Sequence, residues 1–202
     1  MGKKTLNFFT ALASMYILTT VGFVSEVTHA PGVLIENSPY QSENYIQKKK
    51  WEVDNFVFTP LAEFSVDARV LSSQRYWIGE SAGLSPVDLA LGWGKMSDSK
   101  NLEKISIKQR GRFYYWKTKD QNLPISRQEI ISSSANMHLI PANKEIAKKI
   151  KTARRGDLIE MDGYLVKIDK GDDWNWTSSM TRADDGEGAC EVVWVEKFEI
   201  KT

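Results

Sequence analysis

The sequence predicts a mainly β domain with one or two short helices, preceded by an apolar N-terminal helix. An uncharged apolar run extends from Thr5 to Ser25. Several later segments alternate apolar and polar residues, which is the period of half-buried strands. One later segment repeats its apolar residues at helical spacing. The length of 202 residues, with 42% hydrophobic and 26% charged, is typical of one globular domain.

The N-terminal run has the features of an export signal. Lys3 and Lys4 precede it, and Thr28-His29-Ala30 follows, with small residues at the −3 and −1 positions of a cleavage site after Ala30. This pattern predicts a signal peptide over residues 1–30. The alternative is an uncleaved membrane anchor over residues 5–25, because the run also approaches the roughly 20 residues that span a bilayer.

Both alternatives place the later domain across the inner membrane, because the flanking lysines stay on the cytoplasmic side. We therefore expect a protein that is periplasmic, anchored facing the periplasm, or secreted. Cleavage would remove Lys3, Lys4 and Glu26, which leaves the exported part formally neutral. A uniform attraction to nucleic acid is thereby excluded.

The exported part divides into a spacer and a domain. Residues 31–55 are polar, contain Pro31 and Pro39, and predict a spacer, whereas residues 56–202 predict the domain. The first strand of the domain is predicted where Phe64, Val66, Ala68 and Val70 alternate with polar residues. These four apolar residues form its predicted buried face.

Later segments add strands and a helix. Residues 105–117 predict either one long strand bulged at Gly111 or, with preference, a hairpin that turns at Arg110-Gly111. Ser85-Pro86-Val87-Asp88 has the pattern of a helix start, with Ser85 as the cap. Strands are predicted at residues 134–140, 158–168 and 191–200. A helix is predicted between the first two of these, capped by Asn143 and ended by Gly156.

This order of strands with one intervening helix resembles that of an OB-fold, a small five-stranded β-barrel. We therefore expect an OB-fold-like barrel after the signal or anchor helix. The segments Ser134–Ala142, Gly163–Val166 and Ala189–Glu191 are similar to segments of uncharacterised exported bacterial proteins of no assigned activity. The resemblance implies one exported domain and carries no chemistry.

The most unusual segment for function is the polar loop 169–191 between two apolar strands, because long loops frequently carry binding groups. Trp174 and Trp176 would point the same way in an extended segment and provide a stacking platform. The predicted binding residues are Trp174, Trp176, Ser178, Ser179, Thr181 and Arg182. The alternative is a structural lid in which the tryptophans cover the end of the barrel.

A second function class uses the acidic part of the same loop. Carboxylates beside an arginine are the groups of metal-assisted phosphodiester hydrolysis. The alternative catalytic residues are therefore Arg182, Asp184, Asp185 and Glu187. No general base is fixed by spacing, so we expect no confident catalytic residue, no metal site and no cofactor.

Two further residues are interpreted as structural. His138 lies in an apolar run and predicts a hydrogen-bonded core histidine. Cys190 precedes another apolar run and predicts a small buried side chain rather than a nucleophile. A basic and aromatic stripe from Lys104 to Trp116 would suit single-stranded nucleic acid, but a hairpin would break it, so nucleic acid is not an expected partner.

Together these observations favour an exported, non-enzymatic cell-envelope module that recognises a protein, peptide or glycan partner through the loop 169–191. The membrane would be a further partner through residues 5–25 if the signal is uncleaved. The alternative is the metal-assisted hydrolase.

Overall fold

The computed structural model describes residues 26–44, 46–119, 122–171, 174–181 and 190–201. Residues 1–25 of the predicted signal or anchor segment lie outside the described residues. Within the described part of the chain, no helix is long and apolar enough to cross a membrane.

The fold is mainly β, as predicted. Ten strands are described in chain order: β1 (Tyr40–Ser42), β2 (Trp51–Val53), β3 (Phe56–Arg75), β4 (Val87–Gly92), β5 (Ile105–Arg110), β6 (Phe113–Thr118), β7 (Ser134–Pro141), β8 (Leu158–Lys170), β9 (Trp174–Thr177) and β10 (Glu191–Lys201). The helices are short: α1 (Glu80–Leu84), α2 (Ser99–Leu102), α3 (Arg127–Ser132), α4 (Lys144–Thr152) and a 3₁₀ turn at Gly94–Ser97.

Eight strands form one sheet in the order β1-β3-β4-β7-β10-β8-β9, with β2 paired to β3. The long strand β3 also pairs with β8, so that β3, β4, β7, β10 and β8 form a closed cycle of pairings. β7 and β10 run parallel, whereas the other pairs in the cycle are antiparallel. Strands β5 and β6 form a separate hairpin.

Alternation along β10 separates two packed faces of the sheet. Val193 and Val195 belong to one apolar cluster, together with the predicted buried face of β3 and with Ile146 and Ile150 of α4. Val192 and Trp194 point to the opposite face and pack in a second cluster with Phe58. We call this second side the outer face, and it is the face that carries the candidate site.

The hairpin prediction is confirmed, with the turn one residue later than expected. Gly111 and Arg112 occupy the turn and have φ values of 59° and 72°. Positive φ at both central positions is the signature of a two-residue hairpin turn whose twist matches that of the strands. Glycine adopts this conformation readily, but arginine does so only with strain. The turn therefore holds Arg112 in an unusual backbone conformation.

The prediction of a helix start at Ser85 is wrong. Ser85 follows the end of α1, and Pro86 precedes β4, in which every residue from Val87 to Gly92 is buried. A strand buried on both faces shows no alternation, so its sequence does not reveal its period. The helix capped by Asn143 is confirmed as α4, since the Asn143 side chain accepts from the backbone N–H groups of Glu145 and Ile146, but it ends at Thr152 rather than at the predicted stop Gly156.

Part of the predicted spacer packs on the domain. β1 and β2 both pair with β3. The backbone N–H groups of Leu34 and Ile35 donate to Ser97 Oγ at 3.0 and 3.1 Å. The domain boundary at residue 56 stays a prediction, but described residues on its N-terminal side contribute to the same sheet.

Candidate binding site

The centre of the site is a buried carboxylate, Asp88, on the outer face of β4. Its side chain is completely buried, and it lies directly across the ladder from His138 of β7. Asp88 Oδ2 and His138 Nδ1 are 2.9 Å apart, within ion-pair distance although off the line of a regular hydrogen bond. A buried carboxylate requires charged partners or hydrogen-bond donors. His138 is the first such partner of Asp88, and the hairpin supplies the second.

Arg112 supplies that partner from the turn between β5 and β6. Its Nη1 donates to Asp88 Oδ1 at 2.7 Å and to Ser85 Oγ at 3.3 Å. Its guanidinium lies over the ring of Tyr76 at 3.8 Å, and its backbone N–H donates to Tyr76 Oη at 3.2 Å. Arg112 is thus held from three sides, while its side chain remains 18% exposed.

Tyr76 is a neutral phenol in this arrangement. Burial, together with the nearby Asp88 carboxylate, raises the pKa of Tyr76 to about 12. The phenol therefore keeps its proton at physiological pH and acts as a flat support for the guanidinium.

Trp174 and Trp176 form the aromatic side of the site. Both lie on β9, two residues apart, so they point to the same side of the strand, as predicted. Their ring centroids are 6.3 Å apart, and the Trp176 ring lies 4.9 Å from the His138 ring. Trp174 packs edge-on against Phe56. The pair is half-buried, so one part of each indole supports the fold and another part is available to a ligand.

These side chains surround a cavity of about 560 Å³, which we call the outer-face pocket. It lies between the hairpin turn, α1, β9 and the start of β10. Its lining residues are Ser81, Arg112, Phe113, His138, Trp174, Asn175, Trp176, Thr177 and Cys190. Ligand pockets in proteins fall in the range of about 300–1,000 Å³ and combine apolar walls with a few polar groups. The outer-face pocket has both properties.

Cys190 lies at the wall of the pocket without the features of an activated nucleophile. Burial raises the pKa of its thiol to about 11, so the thiol is protonated at neutral pH. Its sulfur contacts Asn136 Nδ2 at 3.6 Å and the Arg112 carbonyl at 3.7 Å. A reactive cysteine requires a lowered pKa, and Cys190 has the opposite.

The predicted serines take a supporting position. Ser178 is buried; its Oγ donates to the Ser179 carbonyl at 2.8 Å and accepts from the Val192 N–H at 3.0 Å. Ser179 Oγ donates to the Thr181 carbonyl at 2.8 Å and accepts from the Thr181 N–H at 3.2 Å. The bond from the Val192 N–H to Ser178 connects the segment after β9 to β10, whereas the Ser179 bonds are local to residues 179–181.

The other predicted loop residues, Arg182, Asp184, Asp185 and Glu187, lie outside the described residues. Within the described residues, no three His, Cys, Asp or Glu side chains come together as a metal site.

Asp88 and Arg112 were not predicted from the sequence as members of the site. Asp88 was expected in a helix start, and Arg112 falls within the basic and aromatic stripe that a hairpin would break. A buried acidic residue in the apolar run Val87–Gly92 and an arginine after a turn glycine were the available signals.

Comparison of the chain with protein-family models, with curated proteins and with solved structures found no match.

Proposed function

We propose that the protein is an exported, non-enzymatic binding module of the cell envelope, which recognises a protein, peptide or glycan partner by taking one group of it into the outer-face pocket. The observation that carries this proposal is the meeting of Trp174 and Trp176 with Arg112 and His138 around one cavity. Such a combination of aromatic walls and few fixed polar groups is typical of binding sites.

We further propose that the closed cycle of pairings is an OB-like barrel. The cyclic order β3-β4-β7-β10-β8, the parallel β7–β10 pair and the position of α4 between β7 and β8 support this proposal. OB-folds bind oligosaccharides and oligonucleotides on the face of their second and third strands and on the adjoining loops. In this chain those strands are β4 and β7, which carry Asp88 and His138.

The metal-assisted hydrolase with Arg182, Asp184, Asp185 and Glu187 stays a sequence-based alternative. These residues lie outside the described part of the chain, and no contact among the described residues favours that chemistry. The protonated Cys190 thiol supports binding over thiol catalysis.

The proposal is tested by retention of the full chain, in detergent, on an array of defined envelope glycans and short peptides. We expect at least one class of probe to be retained, and Trp176→Ala to weaken that retention at least tenfold. The matched control is Trp77→Ala, because Trp77 is 78% exposed and is absent from the pocket lining.

The control variant should bind within about twofold of the wild type. Retention of no probe, or equal retention by Trp176→Ala, would contradict the proposal. Asn175→Ala serves as a second variant, because Asn175 lines the pocket yet is exposed, and its loss should leave the fold intact. If both Trp174→Ala and Trp176→Ala unfold the protein and Asn175→Ala binds normally, the loop is a structural lid.

A further inference from the structure

We infer that the group held in the outer-face pocket is an anionic sugar, one that carries a carboxylate or a phosphate, and that its negative group binds the Arg112 guanidinium. This inference rests on the proposed function and adds the ligand class to it.

The first step is the charge of the lining. Among the described lining residues, the polar side chains are Ser81, Arg112, His138, Asn175 and Thr177, and none of them is a carboxylate. Arg112 is the permanent charge of that set, since its guanidinium keeps its proton under all ordinary conditions. Asp88 is completely buried behind Arg112 and does not line the pocket. On the described part of the wall, a ligand therefore meets one positive group and hydrogen-bond donors.

The second step is the number of donors that Arg112 keeps. A guanidinium has five N–H donors in a planar fork. Nη1 donates to Asp88 and Ser85, and Nη2 makes one long contact of 3.4 Å with Ser81 Oγ. No described residue accepts a hydrogen bond from Nε. The donors on Nε and Nη2 form the edge that binds a carboxylate or a phosphate through two parallel bonds.

The third step is the rigidity of the guanidinium. Tyr76 stacks on one side of it, Asp88 anchors one edge, and the backbone φ of 72° is maintained at a cost. Residues held in unfavourable backbone conformations cluster at ligand-binding sites, where the surrounding structure stabilises them. A preorganised cation loses little side-chain entropy when an anion binds. The fixed conformation of Arg112 therefore favours anion binding.

The fourth step is the shape of the remaining wall. The indoles of Trp174 and Trp176 present flat apolar surface, and the polar residues Ser81, Asn175 and Thr177 also line the cavity. A sugar ring combines an apolar face with a rim of hydroxyl groups, which these two kinds of side chain match. Single-stranded nucleic acid requires a groove with several cations, whereas the described lining has one permanent cation.

The test compares two probes with the same sugar chain, one with free carboxylates and one with these neutralised as methyl esters. The full chain in detergent is titrated with an oligogalacturonate tetramer and with its fully methyl-esterified form. We expect the acid to bind at least tenfold more tightly than the ester. Arg112→Gln should reduce this preference to less than twofold. The matched control is Arg110→Gln, an exposed arginine two residues away, which should keep the preference.

A second variant covers loss of folding. Arg112→Gln leaves Asp88 buried without its guanidinium, so the double variant Asp88→Asn/Arg112→Gln removes both charges and leaves no unpaired charge buried. It should fold and should also lose the preference for the acid. Equal binding of acid and ester, a preference that survives in the double variant, or tighter binding of a tetraglutamate peptide or a single-stranded oligonucleotide would overturn the inference.

The two proposals fail in different ways. If acid and ester bind equally and Trp176→Ala abolishes both, the pocket binds sugars and only the anionic class is wrong. If neither probe binds while the array of the proposed function shows Trp176-dependent retention of another class, the sugar inference is wrong and the binding function stands. If nothing is retained in either experiment, both proposals are wrong.

Discussion

Asp88 Oδ2 and His138 Nδ1 lie 2.9 Å apart across the β4–β7 ladder, and the same carboxylate receives Arg112 Nη1 at 2.7 Å on its other oxygen. One fully buried acid thus connects the sheet, the pocket histidine and the hairpin turn. Removal of one member of a buried ion pair leaves the other charge without compensation, which costs more than the pair contributes to stability.

We therefore expect Asp88→Asn to destabilise the protein by about 3 kcal/mol, the lower end of the range for a broken buried pair, because Arg112 keeps 18% exposure. Urea denaturation measures this value. The control is Asp67→Asn, whose partner Lys201 lies at the surface, and it should cost less than about 1 kcal/mol. A loss as small as that of the control would show that Asp88 is not the anchor of the site.

Trp194 tests the outer-face core. It is 7% exposed, and its ring centroid lies 5.0 Å from Phe58 and 5.1 Å from Trp51. Because truncation of a buried tryptophan leaves a large cavity, Trp194→Ala should cost about 3–5 kcal/mol. Trp77→Ala, at a side chain that is 78% exposed, should change the free energy of unfolding by no more than about 0.5 kcal/mol. Equal melting temperatures for the two variants would place Trp194 at the surface.

The raised pKa of the Tyr114 phenol predicts that the protein loses stability at alkaline pH. Burial raises its pKa from 10.0 to about 12, and its hydroxyl lies 2.9 Å from Ser134 Oγ. Between these values the unfolded chain releases the phenol proton and the folded protein retains it. The folded state then binds more protons, so the free energy of unfolding falls as pH rises above 10.

Tyr114→Phe should make the decline with pH shallower, leaving the contributions of Tyr76, Tyr164 and Cys190, whose pKa values are also raised. The matched control is Tyr115→Phe, since Tyr115 is 53% exposed and its side chain is not part of the core. Urea denaturation at pH values from about 9 to 11 measures both slopes. A decline of the same steepness in Tyr114→Phe would show that Tyr114 is not a buried phenol.

Export is tested independently of the site. Lys3 and Lys4 flank the apolar run from Thr5, and positive residues stay on the cytoplasmic side. Alkaline phosphatase, which is active only outside the cytoplasm, should therefore be active when fused after Thr202. Replacement of residues 1–25 by a polar linker is the control and should abolish the activity. Activity of a cytoplasm-only reporter at the same position would contradict export.

The elements with the clearest period in the sequence are those that bury one face. The alternation from Phe64 to Val70 and the helical stripe after Asn143 both reflect half-buried surfaces, and the structure has a strand and a helix there. β4 was not predicted as a strand because it is buried on both faces, so its sequence shows no alternation of apolar and polar residues. Proline after Ser85 then favoured the wrong element.

A different cause hid the centre of the candidate site. Trp174 and Trp176 were identified because aromatic residues in a polar loop stand out. Asp88, His138 and Arg112 are separated by long stretches of chain and come together only through the β4–β7 register and the hairpin turn. Such proximity depends on tertiary pairing, which local sequence patterns do not contain.

The most direct test of the outer-face pocket uses the seven tryptophans of the chain as reporters. Each indole N–H gives one resonance in a ¹H–¹⁵N spectrum, assigned by single Trp→Phe variants. On saturation with the probe most strongly retained on the array, the resonances of Trp174 and Trp176 should shift, whereas those of the exposed Trp77 and the core Trp93 should not. Shifts confined to Trp77, or no shift at Trp174 and Trp176 under saturation, would show that the ligand binds elsewhere.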